Sequence, residues 1–297
     1  MTYSIVGRDP DTGEIGGAVQ SAAFSAGTVL RTEAGVGAVA TQSFSERAYG
    51  PLGLDLLRAG WPPDRAVTSM VVRDPQQSLR QVGIIDPGSA PAAFTGDDCI
   101  PFAGQAFGDH CSAQANMMAA EGIPEAMVES FGATGGNLAT RLMAALDAAQ
   151  AAGGDFRGVQ AAGIQVRSGE KGTPEWLTRV VNLRVDDHAD PLGELRRLVD
   201  LTAVYRRWGD PARLMAEGDL DGAVALAREL AGATPEQVQP RIHLALALLA
   251  AGEDAEGRAL LRDLKAIDAR WIMVAGHLAR LVDTGLTAED LRRLVDE

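Results

Sequence analysis

Thr2 follows Met1 directly and heads a strand-like run, Thr2-Tyr3-Ser4-Ile5-Val6-Gly7. Removal of Met1, which a small second residue permits, would leave Thr2 with both a hydroxyl and a free α-amine. An α-amine titrates at about 7.7–8.0, so near neutral pH it can accept the hydroxyl proton. One residue would then hold a nucleophile and its base. A second chemical segment follows the double glycine Gly153-Gly154, which lets the backbone approach a ligand closely and expose N–H groups. Arg157 there can grip a substrate carboxylate with two parallel bonds, and Asp155 can bind an amine or cap the next element. The same two side chains can instead pair and fix their own loop. Gln160 leads into a strand and could face the cleft. The run Asp186-Asp187-His188 carries metal-type donors but reads better as a polar linker with an N-cap ahead of Pro191. His110, His188, His243 and His277 are scattered with no H-E-x-x-H, and Cys99 and Cys111 fit neither a zinc spacing nor a disulfide framework. No metal and no cofactor is expected.

The elements that must position these residues divide into two halves near residue 188. In the first half, residues 4–8 and 15–21 flank the turn Asp9-Pro10-Asp11-Thr12-Gly13 and read as a hairpin. Residues 28–30 and 35–42 suggest a second strand pair. Helices are expected over 52–59 and 64–72, the latter starting after Pro62-Pro63. Strands follow at 82–86 and 92–95, helices at 125–133 and 138–152, and strands again at 161–166 and 177–185. Strand runs separated by paired helices point to a layered α+β sandwich rather than βαβ units. The second half reads as helix throughout and repeats itself. Leu214-Met215-Ala216-Glu217-Gly218-Asp219 recurs 34 residues later as Leu248-Leu249-Ala250-Ala251-Gly252-Glu253. Leu226 and Leu230 map onto Leu260 and Leu264, and a weaker third copy begins at Leu281 with Gly285. That period is the tetratricopeptide one, with glycine in the turn between paired helices. Such a tail can offer a groove to a protein partner or serve as a packing arm.

The 297 residues carry a net charge of −13, from 40 acidic and 27 basic side chains. This excess argues against a broad nucleic-acid or anionic-membrane surface, both of which need clustered Lys and Arg. Hydrophobic residues make up 46% of the chain but aromatics only 5%, so Ala, Leu and Val must fill the core. No signal peptide is read at the start, and polar residues interrupt every apolar run. A cytoplasmic location with reduced thiols is the expectation.

Beyond composition, seven segments in order resemble a bacterial family, domain of unknown function 1028. They are the Thr2–Asp9 start, QSAAFSAG (20–27), AGVGAVATQSF (34–44), YGPLGLDLLRAG (49–60), QANMM (114–118), GGDFRGVQAA (153–162) and LRVDDHADPLGELRRLV (183–199). Members with a tetratricopeptide-like tail also resemble the chain beyond residue 200. The resemblance implies membership in the N-terminal-nucleophile (Ntn) hydrolase-like superfamily. It thus implies an αββα four-layer sandwich over residues 1–188, followed by an all-α tetratricopeptide-like domain over 189–297. It implies amide-bond hydrolysis with Thr2 as nucleophile and Asn116 as a donor to the oxyanion. Asn116 can equally tie a turn together. In such a sandwich the strand ends bearing Gln20, Ser21, Gln42, Ser43 and Gln114 can border the nucleophile. Gln114 and Asn116 share a face if their segment is a strand. Many members have histidine where this chain reads Ala22, Phe94 and Gln105, so three imidazoles are missing. The expected ligand is a small amide or peptide-like substrate. A homodimer is expected, with a protein partner at the tail as a further candidate. The alternative is a non-catalytic binding protein of the same fold that uses the tail for partner contact.

Overall fold

The computed structural model describes residues 2–281 and 286–296, with the side chain of Leu281 left aside. Met1 and Gly285, the glycine expected in a third repeat, lie outside the described residues. In chain order the elements begin β1 (Thr2–Arg8), β2 (Ile15–Ser21), β3 (Leu30–Glu33), β4 (Gly37–Ser43), α1 (Tyr49–Arg58) and α2 (Pro63–Val71). Next come β5 (Arg80–Ile85), β6 (Ala92–Thr95), β7 (Gly104–Gly108), β8 (Cys111–Asn116), α3 (Ile123–Ala133) and α4 (Leu138–Ala151). The N-terminal unit closes with β9 (Ala161–Arg167), the one-turn α5 (Glu175–Thr178) and β10 (Arg179–Val185). Helices α6 (Pro191–Arg206), α7 (Asp210–Glu217), α8 (Leu220–Ala233), α9 (Val238–Ala250), α10 (Asp254–Ile267), α11 (Arg270–Leu281) and α12 (Ala288–Asp296) follow.

The strands form two antiparallel sheets, β10-β9-β2-β1-β8-β7 and β3-β4-β5-β6. Alternation along each strand fixes what lies on either side. Tyr3, Ile5, Ala18, Ala113 and Ala115 point from the larger sheet toward α3 and α4, where Phe131, Leu142 and Leu146 complete a core. Val6, Ile15 and Val19 point the other way and meet Leu30, Ala38, Ala40 and Ile85 of the smaller sheet. The outer face of that sheet, with Val39, Val82 and Ile84, is covered by Leu54 and Leu57 of α1 and Val67 and Met70 of α2. The result is four layers, helix–sheet–sheet–helix, in an α+β chain. Strands buried on both faces lose the clean polar–apolar alternation of an edge strand, and β1 is buried at all seven positions.

The chain divides into two compact units, Met1–Val199 and Asp200–Glu297. The division falls inside α6 rather than at residues 188–189, because Leu192 and Leu195 of its first turns join the sandwich core. In the second unit, α7 and α8 are joined at Gly218 and α9 and α10 at Gly252, both with left-handed φ (84° and 81°). Leu230 and Leu264, the residues equated by the internal repeat, are both buried. Among the described residues no helix is long and apolar enough to cross a membrane.

Candidate functional site

The space between the two sheets changes character along its length. At the Val6 end aliphatic side chains meet across it, with Ser112 beside Val6 and Thr32, Gln165 and Arg167 on the β3 and β9 side; at the Thr2 end the inward positions carry hydroxyls and amides. Register brings them together. Thr2 of β1 lies opposite Ser21 of β2 and Asn116 of β8. On the facing sheet Gln42 of β4 lies opposite Gln81 of β5, which lies opposite Thr95 of β6.

The resulting network is buried and bears no formal charge. The Thr2 hydroxyl donates to Ser21 Oγ at 3.1 Å. The Thr2 carbonyl accepts from Gln42 Nε2 at 3.1 Å and Asn116 Nδ2 at 3.4 Å. Both amides also donate to Gln81 Oε1, at 2.7 and 2.8 Å. Gln81 Nε2 in turn donates to Thr95 Oγ1 (2.9 Å), Ala115 O (2.9 Å) and Gly104 O (3.1 Å). One glutamine thus crosslinks the sheets and holds the two amides that hold Thr2. Sequence reasoning missed Gln81 because it started the strand at Val82; continuing the alternation backward from Ile85 through Gly83 would have turned Gln81 inward. Gln114 shares the inward face with Asn116, since β8 is a regular strand. It accepts from Ser4 Oγ at 3.3 Å and donates to Ser112 Oγ at 2.5 Å. Its amide fits only because residue 83 is glycine: a Cβ there would sit 2.3 Å from the Gln114 side chain.

Other expected site residues lie elsewhere. Gln20 pairs with Tyr3 in register and therefore points to the α4 side, away from Thr2. Gln42 reaches the Thr2 carbonyl, and the next residue, Ser43, leaves the strand with a φ of 65°. Arg157 does not offer its fork to a ligand: its Nε and Nη2 bond Asp155 at 3.0 and 2.6 Å. The Asp155 carboxylate is fully buried and also accepts from the Ala22 amide at 3.3 Å, tying this loop to the end of β2. Gln160 Nε2 bonds Asp187 Oδ1 at 3.0 Å, outside the Thr2 network. Of the three positions where the resemblance leads us to expect histidine, Gln105 accepts from Thr95 Oγ1 at 2.9 Å, Ala22 adjoins Asp155, and Phe94 packs in the α1–α2 core. His188 Nδ1 accepts from the Asp190 amide ahead of α6. No three His, Cys, Asp or Glu side chains among the described residues are grouped to hold a metal ion.

Two further features concentrate at this end. The four described non-glycine residues in the left-handed region are Ser25, Ser43, Phe102 and Met117, with φ of 61°, 65°, 55° and 60°. Ser25 follows β2, Ser43 ends β4 and Met117 follows β8. Phe102 joins them, because its carbonyl accepts from the Met118 amide at 3.4 Å. Strained backbone of this kind persists where surrounding structure over-determines it, and it gathers at sites of function. The second feature is unmet bonding capacity: Gln42 Oε1, Asn116 Oδ1, Ser43 Oγ and both Gln20 amide atoms are buried without a hydrogen-bond partner. Native interiors hold few such atoms, and each needs a reason. A cavity of about 250 Å³ is lined by Phe102, Gly104, Glu121, Gly122, Pro124 and Glu125; it shares with the network Gly104, whose carbonyl accepts from Gln81 Nε2.

The profile of a family of unknown function (DUF1028) matches residues 2–195, and a tetratricopeptide repeat profile matches residues 214–281. Among solved structures, a crystal structure of a DUF1028 protein from Silicibacter pomeroyi is 33% identical, with a TM-score of 0.60. The match covers 66% of this chain and 87% of that one. No curated protein matches.

Proposed function

This chain belongs to the DUF1028 family, and from that premise we propose that its N-terminal unit is an Ntn-type amidohydrolase cleaving a small amide or peptide-like bond with Thr2 as nucleophile. The observation that carries the reading is the anchoring of Thr2. It heads the central strand pair with its carbonyl gripped by Gln42 and Asn116 and its hydroxyl held by Ser21. In a chain processed to begin at Thr2, the α-amine takes the hydroxyl proton as Oγ1 attacks the substrate carbonyl. The protonated amine then gives that proton to the departing amine, leaving an ester on Thr2. Water, deprotonated by the same α-amine, hydrolyses the ester and frees the acid. Both donor hydrogens of Asn116 are committed to Thr2 O and Gln81, so in this mechanism Asn116 positions the nucleophile and loop N–H groups serve the oxyanion.

The mass of the purified protein and a Thr2 variant series test the reading. Loss of one methionine, turnover of an amide library, its abolition in Thr2→Ala and its partial survival in Thr2→Ser are expected. Met1 retained at full occupancy, or Thr2→Ala as active as wild type, would sink it. The non-catalytic reading has one observation in its favour: the network's amide donors are satisfied within the fold rather than left open. The hydrolase reading includes a cytoplasmic homodimer whose helical unit is available to a protein partner, with neither nucleic acid nor membrane as ligand.

A further inference from the structure

We infer that the ligand of the Thr2 end is a neutral secondary amide bearing an apolar acyl group, aromatic or branched aliphatic, rather than a charged peptide-like molecule. The inference takes its site from the proposed function but not its chemistry. Charge is the first ground. No side chain of the network is ionised, and the nearby cation, Arg157, is bound to the buried Asp155 carboxylate. A ligand carboxylate would have to displace an intramolecular partner already held by Arg157 and the Ala22 amide.

Hydrogen-bonding polarity is the second ground. The unmatched atoms of the two residues that grip Thr2 are Gln42 Oε1 and Asn116 Oδ1. Both are acceptors, both are neutral, and their side chains are 1% and 0% exposed. A group that completes them must donate, and it must enter a buried, uncharged environment. An amide N–H meets both demands, whereas an ammonium ion on these two oxygens would be desolvated inside a network that holds no carboxylate of its own.

The surroundings are the third ground. Phe24, Phe44, Phe102 and Phe156 are exposed by 69%, 48%, 50% and 60%. All four stand on connections at this end of the sandwich. Phe24 follows Ser21 by three residues, and Phe44 follows Ser43 with its amide on Leu79 O. Phe102 meets Met118, which bridges to Asp155, and Phe156 is the next residue after Asp155. Of the five exposed phenylalanines, all but Phe107 stand on connections that leave the strands at the Thr2 end, which supplies apolar surface there. Apolar walls with a few convergent polar groups are the usual make-up of a small-molecule site.

The test uses the full chain in two arms. In the first, binding of N-methylphenylacetamide, N-methylacetamide and N-methylsuccinamate to the Thr2→Ala protein is followed by NMR titration. The phenylacetyl compound should bind at least about tenfold tighter than the other two. Phe24→Ser and Phe156→Ser, each added to Thr2→Ala, should remove most of that advantage. Both rings are exposed, so folding is checked simply by circular dichroism. In the second arm, wild-type turnover of the phenylacetyl, acetyl and succinyl p-nitroanilides is compared. Phenylacetyl preference in binding without any turnover upholds this inference and removes the hydrolase reading. Turnover without acyl preference does the reverse. Equal binding of the three amides, a succinyl preference, or indifference to both phenylalanine variants overturns the inference.

Discussion

Gln81→Leu isolates the crosslink on which the Thr2 site depends. Leucine nearly matches glutamine in shape but removes the acceptor shared by Gln42 Nε2 and Asn116 Nδ2, at 2.7 and 2.8 Å. Gln81 and Asn116 are 0% exposed and Gln42 1%, so water does not readily replace the lost partner. Gln42 Nε2 keeps Thr2 O and Gln114 O as acceptors, but Asn116 Nδ2 loses one, and the Ala115 and Gly104 carbonyls lose the Gln81 donor. At about 1–3 kcal/mol for each buried group left unmet, the stranded donor and one carbonyl give about 2–6 kcal/mol, less what the apolar leucine recovers. A net loss of about 2–4 kcal/mol is expected. Because the chain folds as two units, one denaturation midpoint would mix their stabilities. Native-state hydrogen exchange of peptides from β1, β2 and β8 reads the sandwich alone. Their globally exchanging amides should lose protection by about 30- to 1,000-fold, while α9 and α10 stay unchanged. Adding Asn116→Leu removes the stranded donor but leaves the Gln42 bonds to Thr2 O and Gln114 O in place. The double variant should therefore be less destabilised than the sum of the singles, with a coupling of about 1–3 kcal/mol. A Gln81→Leu effect under about threefold in exchange, or strict additivity with Asn116→Leu, would refute the shared-acceptor argument.

Four other outcomes follow from the structure. Gly83→Ala drives a methyl to 2.3 Å from the Gln114 amide, confined between sheets, and should cost about 1–3 kcal/mol; Gln114→Ala should largely relieve it, and no relief in the double variant counts against the contact. Burial holds the His243 imidazole below its ordinary value, so the unfolded chain, titrating at about 6.5, binds more protons than the folded one below that pH. Stability of the helical unit should therefore fall as pH drops through about 6.5 toward the folded value, and His243→Leu should flatten the profile; an unaltered acid limb in that variant would contradict the assignment. Burial pushes the Cys111 thiol up to about 11, so iodoacetamide at pH 8 should modify it only after unfolding; rapid native labelling at Cys111 by peptide mapping would overturn this. Gly252, with φ of 81° and open space around its absent Cβ, should lose about 1 kcal/mol as alanine and less as asparagine, measured by exchange in α9 and α10.

Much of this fold can be read from the residues, and the exceptions have local causes. The first hairpin, the four helices of the sandwich and the glycine-punctuated helix pairs announce themselves through periodicity and turn chemistry. The β7–β8 hairpin does not. Gly104–Gly108 is glycine-flanked, and Cys111–Asn116 alternates small residues with Ser, Gln and Asn, so it lacks the apolar contrast that marks a strand. Thr2, Ser21, Gln42, Gln114 and Asn116 could be nominated from the chain, whereas Gln20 could not be rejected. In a strand buried on both faces, which of two adjacent polar residues points inward depends on its register with β1, a long-range fact. The Arg157–Asp155 pair shows the same limit: spacing permits both a ligand site and a loop lock, and the 2.6 Å contact selects the lock.

The gathering of side-chain amides at one end of the inter-sheet layer is hard to explain as a device for stability. The strands run through both ends, so the inward positions of Thr2, Ser21, Gln42, Gln81 and Asn116 could have continued the apolar pattern of Val6, Val19, Ala38, Ala40 and Ile85. Matched burial of amides is close to neutral at best, and unmatched atoms cost about 1–3 kcal/mol each. The four left-handed residues around them add about 1–3 kcal/mol apiece. Against a typical net stability of about 5–15 kcal/mol, that is a large charge on one end of one domain. The apolar layers on α3–α4, on α1–α2 and at the Val6 end must offset it. A region that spends stability, fixes one strand terminus through side-chain amides and leaves neutral acceptors unmet supports the proposal that a ligand binds there. Under that proposal the Gln42 and Asn116 oxygens are the atoms on which the identity of the ligand turns.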